Sequence, residues 1–308
     1  MIVREHKMAD FRESDVPDQS GRVALVTGSN TGIGWDTARV LAERGARVLL
    51  GCRSGEKAEE AMARIRETAP DADMQWLPLD LASLSSVKAA AEKVAEEKQL
   101  DLLINNAGIM MPPKTLTEDG FEVQFGVNHL GHFALTGRLL PMLKDQPGAR
   151  IVNVSSLAHK NGRINYDDPQ AEKRYSPMER YAMSKFANIL FTYELQRKLD
   201  AAGSKTLSLA SHPGVSATEL GRHINPFFSL LFLPLLLIQN TSAEGALPSL
   251  MAAVDEAATG GDYYGPKGFG EFRHSATKVP TIPSSRDEAD AARLWALSEE
   301  LTGVSFSV

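Results

Sequence analysis

From Arg22 onward, short apolar runs alternate with longer stretches of helical period. "RVALVTG" (22–28) has the length and branched apolar content of a strand. A glycine turn follows it, then an amphipathic stretch that predicts a helix from about Ile33 to Arg44. "ARVLLG" is a second strand, with a charged helix over Glu56–Thr68. "MQWLPLD" is a third, with a helix over Leu84–Lys98. "LDLLINNAG", "RIVNVSS" and "KTLSLASHPG" supply a fourth, fifth and sixth strand, again with helical patterns between them. A late short strand is expected near "GDYYG" and a final helix over Arg286–Leu301. Strands that alternate with helices build a parallel sheet covered on both faces, the α/β doubly wound class. No internal repeat, low-complexity stretch or Gly/Ser linker divides the chain. It reads as a single domain, residues 21–308, preceded by a polar arm, residues 1–20, expected to be mobile or loosely docked.

That order of elements gathers the chemically conspicuous residues at one place. Thr27–Gly28, Cys52–Arg53, Asp80, Asn105–Gly108, Ser155–Ser156 and His212–Gly214 all fall where a strand ends. Open α/β sheets bind ligands beyond the carboxyl ends of their strands. The recurrence of glycine and polar residues along that edge predicts a binding crevice.

Composition narrows the classes. The 308 residues are 43% hydrophobic and 23% charged, an ordinary globular balance. A formal charge of −6 argues against a nucleic-acid surface. The single cysteine, Cys52, excludes an intrachain disulfide and reads as a small buried apolar residue. The polar N-terminus carries no apolar signal-peptide core, so a cytoplasmic location is expected. "FFSLLFLPLLLI" (227–238) is strongly apolar, but it is shorter than the roughly 20 residues a membrane span needs and contains Pro234. Burial, a pocket lid, a membrane-resting patch and a subunit interface remain open for it. His129 and His132 lie three apart, yet no cysteine or carboxylate cluster completes a site, so packing roles and no metal are expected.

Two short motifs carry chemistry. In "TGSNTGIG" (27–34) Gly28 permits a tight turn, while Gly32 and Gly34 let the backbone approach a ligand. The helix that follows offers unpaired N–H groups to a pyrophosphate. In "YAMSK", Tyr181 and Lys185 are four residues apart in a helical pattern. Their Cβ atoms then lie roughly 5–6 Å apart on one face, where the ammonium favours the phenolate. A tyrosine so placed is a proton-transfer group.

"TGSNTGIG", "NNAG" and "YAMSK" together resemble the short-chain dehydrogenase/reductase family, over about Gly21–Leu220. "RIVNVSSLAH", "ANILFTYELQRKL", "TSAEGA" and "RLWALSEELTG" resemble its retinol-dehydrogenase-like branch. The resemblance implies a single-domain Rossmann fold and a hydride transfer between a nicotinamide cofactor and an alcohol or carbonyl compound. It implies Tyr181 as general acid/base, Lys185 as its partner and a ligand of the nicotinamide ribose, Ser156 (with Ser155 ranked second) on the substrate oxygen, and Asn128 in a water-linked relay. It further implies that the turn residues Gly28, Asn30, Thr31, Gly32, Ile33 and Gly34 hold the pyrophosphate. Asp80 and Leu81 would border the adenine, and Asn106, Ala107 and Gly108 would underlie the adenosine half. Pro213, Gly214, Val215 and Thr218 would clasp the nicotinamide.

Where NAD-using relatives carry an acidic residue after the second strand, this chain has Cys52 and then Arg53. An arginine pairs with a 2′-phosphate that a carboxylate would repel, and Ser54 adds a hydroxyl, so NADP(H) is expected over NAD(H). For Asp80 a helix N-cap is the alternative reading, compatible with the binding role. Twenty-five positions separate Ser156 from Tyr181, more than in the plainest family members, and predict a polar surface loop near the site mouth. The substrate is expected to be a small apolar alcohol, aldehyde or ketone, covered by a lid around residues 216–240. Peripheral membrane contact and a homo-oligomer are both compatible with the sequence. A dinucleotide-binding regulator without turnover, and a reductase of activated double bonds, are the competing readings.

Overall fold

The structure, a computed structural model, describes residues 10–215 and 240–308. Eight strands form one sheet in the order β3-β2-β1-β4-β5-β6-β7-β8. They are β1 (Val23–Thr27), β2 (Arg47–Cys52), β3 (Met74–Pro78), β4 (Leu102–Asn105), β5 (Arg150–Val154), β6 (Leu207–Ser211), β7 (Tyr263–Pro266) and β8 (Ala276–Lys278). All neighbours pair in parallel except β7 and β8. The expected strands are present. The addition is β8, three residues long with two of them polar, too short to leave a period in the sequence.

The main helices are α1 (Gly32–Glu43), α2 (Gly55–Arg66), α3 (Leu84–Val94), α4 (Gly131–Leu143), α5 (Pro177–Ala201), α6 (Ser242–Val254) and α7 (Glu288–Thr302). Successive strand residues send apolar side chains to opposite faces, which is why the strands read as unbroken apolar runs. Ala24, Val26, Val48, Leu50, Leu102 and Ile104 pack with α1, α2 and α6 on one face. Leu25, Leu49, Leu77, Leu103 and Ile151 pack with α3, α4 and α5, with Trp295 of α7 closing that cluster.

From Asp10 on, the N-terminal stretch is docked on the domain. Val16 is buried against the α1 side of the sheet, Gln19 N–H bonds Arg44 O at 2.7 Å, and Glu13 pairs with Arg39 at 2.7 Å. The polarity of residues 1–20 leaves a mobile and a loosely docked arm both open. The apolar Phe11 and Val16 and these ionic contacts fix the part that is described. Residues 216–239, which include the apolar run, Thr218 and nearly all of the proposed lid, lie outside the described residues.

His129 and His132 are packing residues. His129 sits between Phe125 and Phe191, its Nε2 2.9 Å from Ser298 Oγ. His132 lies with Nε2 2.9 Å from Thr27 Oγ1 and Nδ1 3.1 Å from Asn128 O. Burial lowers their pKa values from 6.5 to about 4 and about 3. A base held below its ordinary value contributes stability that is full above that value and is lost as pH falls toward the folded one. The unfolded chain therefore gains protons first, below about pH 6.5. Between pH 7 and pH 5 each ring is expected to remove on the order of 1–2 kcal/mol of stability. Denaturant unfolding at the two pH values checks this, and equal stability at both would show that the rings are not held neutral in the fold.

Candidate active site

Beyond the carboxyl ends of β1, β2 and β4 the sheet opens into a cleft of about 460 Å³. β1 and β4 are neighbours, yet the chain leaves them toward opposite faces, and the cleft lies at this parting. Thr27, the last residue of β1, secures it. Its hydroxyl accepts the N–H groups of Asn106 and Ala107, each at 2.9 Å, and lies 2.9 Å from His132 Nε2. Asn106 Nδ2 returns a hydrogen bond to Thr27 O at 2.8 Å.

The glycine turn sits on this joint. Gly28 and Gly32 have φ of 68° and 59°, in the left-handed region. A Cβ at Gly34 would fall 2.4 Å from both Asn106 Nδ2 and Gly28 O, so only glycine lets α1 begin this close to the strand. Thr31 precedes α1 without capping it through its side chain, which leaves the first-turn N–H groups to the cleft. A wall of backbone with no side chains in the way and an uncapped helix start fit a dinucleotide pyrophosphate.

Gly28, Asn30, Thr31, Gly32, Ile33, Gly34, Arg53, Ser54, Asp80, Leu81, Asn106, Ala107, Gly108, Tyr181 and Lys185 all line this one cleft. Lys57, Ala82, Ile109, Met110, Val123 and Val127 line it too and were not anticipated. Lys57 had a signal, since it lies four residues beyond Arg53 in the first turn of α2. The apolar ones had none, because core residues look the same. Ser54 also caps α2, accepting Lys57 N–H at 3.3 Å. Asp80 does not cap α3. Ser83 does, while Asp80 Oδ1 accepts Ala82 N–H at 2.9 Å and closes the turn before the helix.

α5 brings the tyrosine and lysine together. It is buried over most of its length, with Tyr181 and Lys185 each 3% exposed. Lys185 Nζ lies 5.8 Å from the centre of the Tyr181 ring and donates to Val154 O at 3.1 Å. Asn128 lies in a π-helical stretch, Gly126–Leu130, leading into α4. Three hydrogen bonds hold its amide. Nδ2 donates to Ile109 O at 3.0 Å and to Ser184 Oγ at 2.9 Å, and Oδ1 accepts Ile109 N–H at 2.8 Å. Ser184 in turn donates to Tyr181 O at 2.8 Å. Gly108 packs against two of the catalytic candidates, Lys185 and Asn128. A Cβ there would lie 3.3 Å from Lys185 Nζ and 3.4 Å from Asn128 Oδ1.

The two serines divide. Ser155 is fully buried and donates to Lys185 O at 2.7 Å. Ser156 caps a short 3-10 helix, Leu157–Asn161, its Oγ accepting Ala158 N–H at 3.3 Å. After β6, Pro213 is placed beside Ile33 through α6. A Cβ on Gly245 would lie 3.2 Å from Ile33 Cγ1 and 3.4 Å from Pro213 Cβ. Gly214 has φ of 73°, and Val215 follows it. The insert before α5 is held by Asp168, whose carboxylate accepts the N–H groups of Glu172, Lys173 and Arg174. Lys114 Nζ donates to Ala171 O at 2.6 Å. Arg180 bonds Asp168 O and pairs with buried Glu122 at 3.2 Å, tying the insert to the residues next to Tyr181.

The sequence pattern of the family described as short chain dehydrogenase matches residues 22–227. The chain belongs to that family. Human retinol dehydrogenase 12 is 46% identical over 287 residues, covering 92% of this chain and 87% of the relative. Human retinol dehydrogenase 13 is 45% identical over 293 residues, covering 92% and 85%. A crystal structure of an uncharacterized protein from Mycobacterium paratuberculosis superposes with a TM-score of 0.82 at 40% identity, covering 97% of this chain and all of that one. This short-chain dehydrogenase is thus retinol-dehydrogenase-like in sequence, with a doubly wound Rossmann fold, and is an oxidoreductase.

For this member of the family, Thr27→Val is expected to cost about 1–3 kcal/mol, because it leaves the part-buried Ala107 N–H and the buried His132 Nε2 without their partner. Thr27→Ser, which keeps the hydroxyl, is expected to recover most of that. Chemical denaturation reads both. Equal losses for the two would place the effect in the lost methyl group instead.

Proposed function

We propose that this dehydrogenase transfers a hydride between NADP(H) and an apolar alcohol or carbonyl compound, with Tyr181 as general acid/base. One observation carries the reading: Tyr181 and Lys185 open into the same cleft as the glycine turn. A nicotinamide dinucleotide, when bound, supplies the hydride donor or acceptor. The chain supplies the rest. Gly28, Gly32 and Gly34 leave room for the pyrophosphate, and Arg53, with Ser54 and Lys57 beside it, provides positive charge for a 2′-phosphate. In the oxidative direction Tyr181 takes the hydroxyl proton of the substrate, and in the reductive direction it returns one to the carbonyl oxygen. Lys185 favours the charged form of the phenol electrostatically. Ser156 donates to the substrate oxygen, where negative charge develops. Asn128 holds the Ile109 backbone and, through Ser184, the turn of α5 that carries Tyr181.

Two observations support an apolar substrate. Ile109, Met110, Val123 and Val127 line the cleft together with Tyr181, and the curated relatives named above are retinol dehydrogenases. Each CH₂ placed against such a wall is worth about 0.8 kcal/mol.

The test is turnover with NADPH and with NADH against homologous aldehydes, ketones and enones. NADPH with the longer aldehydes or ketones is expected to give the highest kcat/KM. Turnover of enones alone would move the chemistry to double-bond reduction, and tight NADPH binding without turnover of anything would favour a regulator. Tyr181→Phe is expected to lower kcat by orders of magnitude with NADPH affinity nearly intact. Near-parental activity would remove Tyr181 from the chemistry. Arg53→Ala is expected to weaken NADPH roughly ten- to a hundredfold and leave NADH almost unchanged. Matching losses for both cofactors would sink the preference for NADP(H).

A further inference from the structure

Beside Ser156 and the Pro213–Val215 turn, three side chains outside the family motifs meet. His212 follows β6 and is fully buried. Its Nδ1 accepts Gly214 N–H at 3.2 Å, so in the neutral ring the proton is on Nε2. Burial keeps the ring neutral by lowering its pKa below 6.5. Nε2 lies 3.1 Å from Glu271 Oε2, in contact but not aligned for a hydrogen bond, and neither of these buried atoms has a hydrogen-bond partner among the described residues. Glu271 Oε1 pairs with Lys160 Nζ at 2.9 Å. Lys160 stands on the 3-10 helix that Ser156 caps. One carboxylate thus bridges the segment presenting Ser156 and the turn after β6.

The backbone reinforces the joint. Val215 N–H bonds Phe272 O at 3.0 Å, and a Cβ on Gly214 would fall 2.3 Å from that same oxygen. Glu271 has φ of 60°, a conformation a non-glycine residue keeps only where its surroundings hold it. Its pKa is lowered to about 2. Burial opposes the shift, while the neighbouring His212 and the hydrogen-bonded Lys160 outweigh that penalty, so the carboxylate is charged at neutral pH.

We propose that Glu271 is a positioning residue whose carboxylate latches the Ser156 segment to the Pro213–Val215 turn and so sets the serine against the nicotinamide half of the cofactor. The proposal rests on the functional reading above. It predicts an effect confined to one half of the dinucleotide, since the residues expected to hold the adenosine half, Arg53, Asp80 and Asn106 among them, lie on the loops that follow β2, β3 and β4.

The full chain and the variants Glu271→Ala, Glu271→Gln and Lys160→Met are titrated with NADPH and with adenosine 2′,5′-bisphosphate, which lacks the nicotinamide half. NADH and ADP replace them if the parent prefers NADH. Glu271→Ala is expected to weaken the whole dinucleotide about tenfold and the fragment less than about twofold, with kcat falling about tenfold or more as geometry loosens. The primary isotope effect on kcat with 4-deuterated cofactor is expected to rise, because hydride transfer becomes slow. Glu271→Gln keeps an acceptor for His212 and is expected to recover part of the loss. The double variant Glu271→Gln/Lys160→Met is expected to lose no more than the worse of its two single variants, because both break one bridge. Equal losses for dinucleotide and fragment, unchanged affinity and isotope effect in Glu271→Ala, or additive losses in the double variant would overturn the latch. If Glu271→Ala does not fold, the Gln and Met variants carry the same comparison. A parent that binds NADPH but turns over no carbonyl compound would fail the functional reading alone, and the binding comparison would still decide the latch.

Discussion

The site depends on how the backbone is satisfied where β1 and β4 part. Two neighbouring strands that send their chains to opposite faces leave N–H and C=O groups at the fork with no ladder to join. Thr27 and Asn106 settle this by exchange: the hydroxyl of one takes backbone N–H groups from the loop of the other, and the amide of the other takes the carbonyl of the first. The fork is then held open without a side chain filling it. Gly28, Gly34 and Ala107 press together directly above, at separations that forbid anything larger than hydrogen at Gly34. An enlarged side chain there would collide with the clamp itself.

From that fork the order spreads through Asn128. His132 links Thr27 to the Asn128 carbonyl, and the Asn128 amide links the loop after β4 to Ser184, between Tyr181 and Lys185 in sequence. The tyrosine-bearing turn of α5 is thereby tied to the same joint as the glycine turn. The π-helical turn at Gly126–Leu130 is what frees the Asn128 side chain to face this way while α4 continues beyond it. Neutral, buried histidines suit this use. Each ring supplies one donor and one acceptor in fixed directions and brings no charge into the interior.

Most of this architecture was legible in the sequence because it is periodic or stereochemically compelled. Fully buried parallel strands leave apolar runs, and a backbone that must approach a ligand leaves glycines in a fixed order. The alternative reading of Asp80 as the cap of α3 fails for a local reason: Asp80 and Ser83 both carry suitable oxygens, and only the path of the turn decides between them. Whether residues 10–20 dock or move stayed open in the sequence, because two apolar side chains, Phe11 and Val16, do not outweigh a polar composition in any sequence window. The contacts of Glu271 were invisible for another reason. They join residues 160, 212 and 271, and no spacing rule connects positions so far apart.

The pairing of Phe11 with Ala276 has a consequence for how copies of the chain behave toward each other. A sheet of eight strands has two margins, and the one at β8 offers an open row of hydrogen-bonding groups to any extended segment that drifts past. Phe11 occupies part of that row, and Asp10 anchors it by accepting from Ser275 and Lys267 on the adjoining loop. The beginning of the described chain therefore covers part of the sheet's margin, where an extended segment of a second copy would otherwise find room to pair.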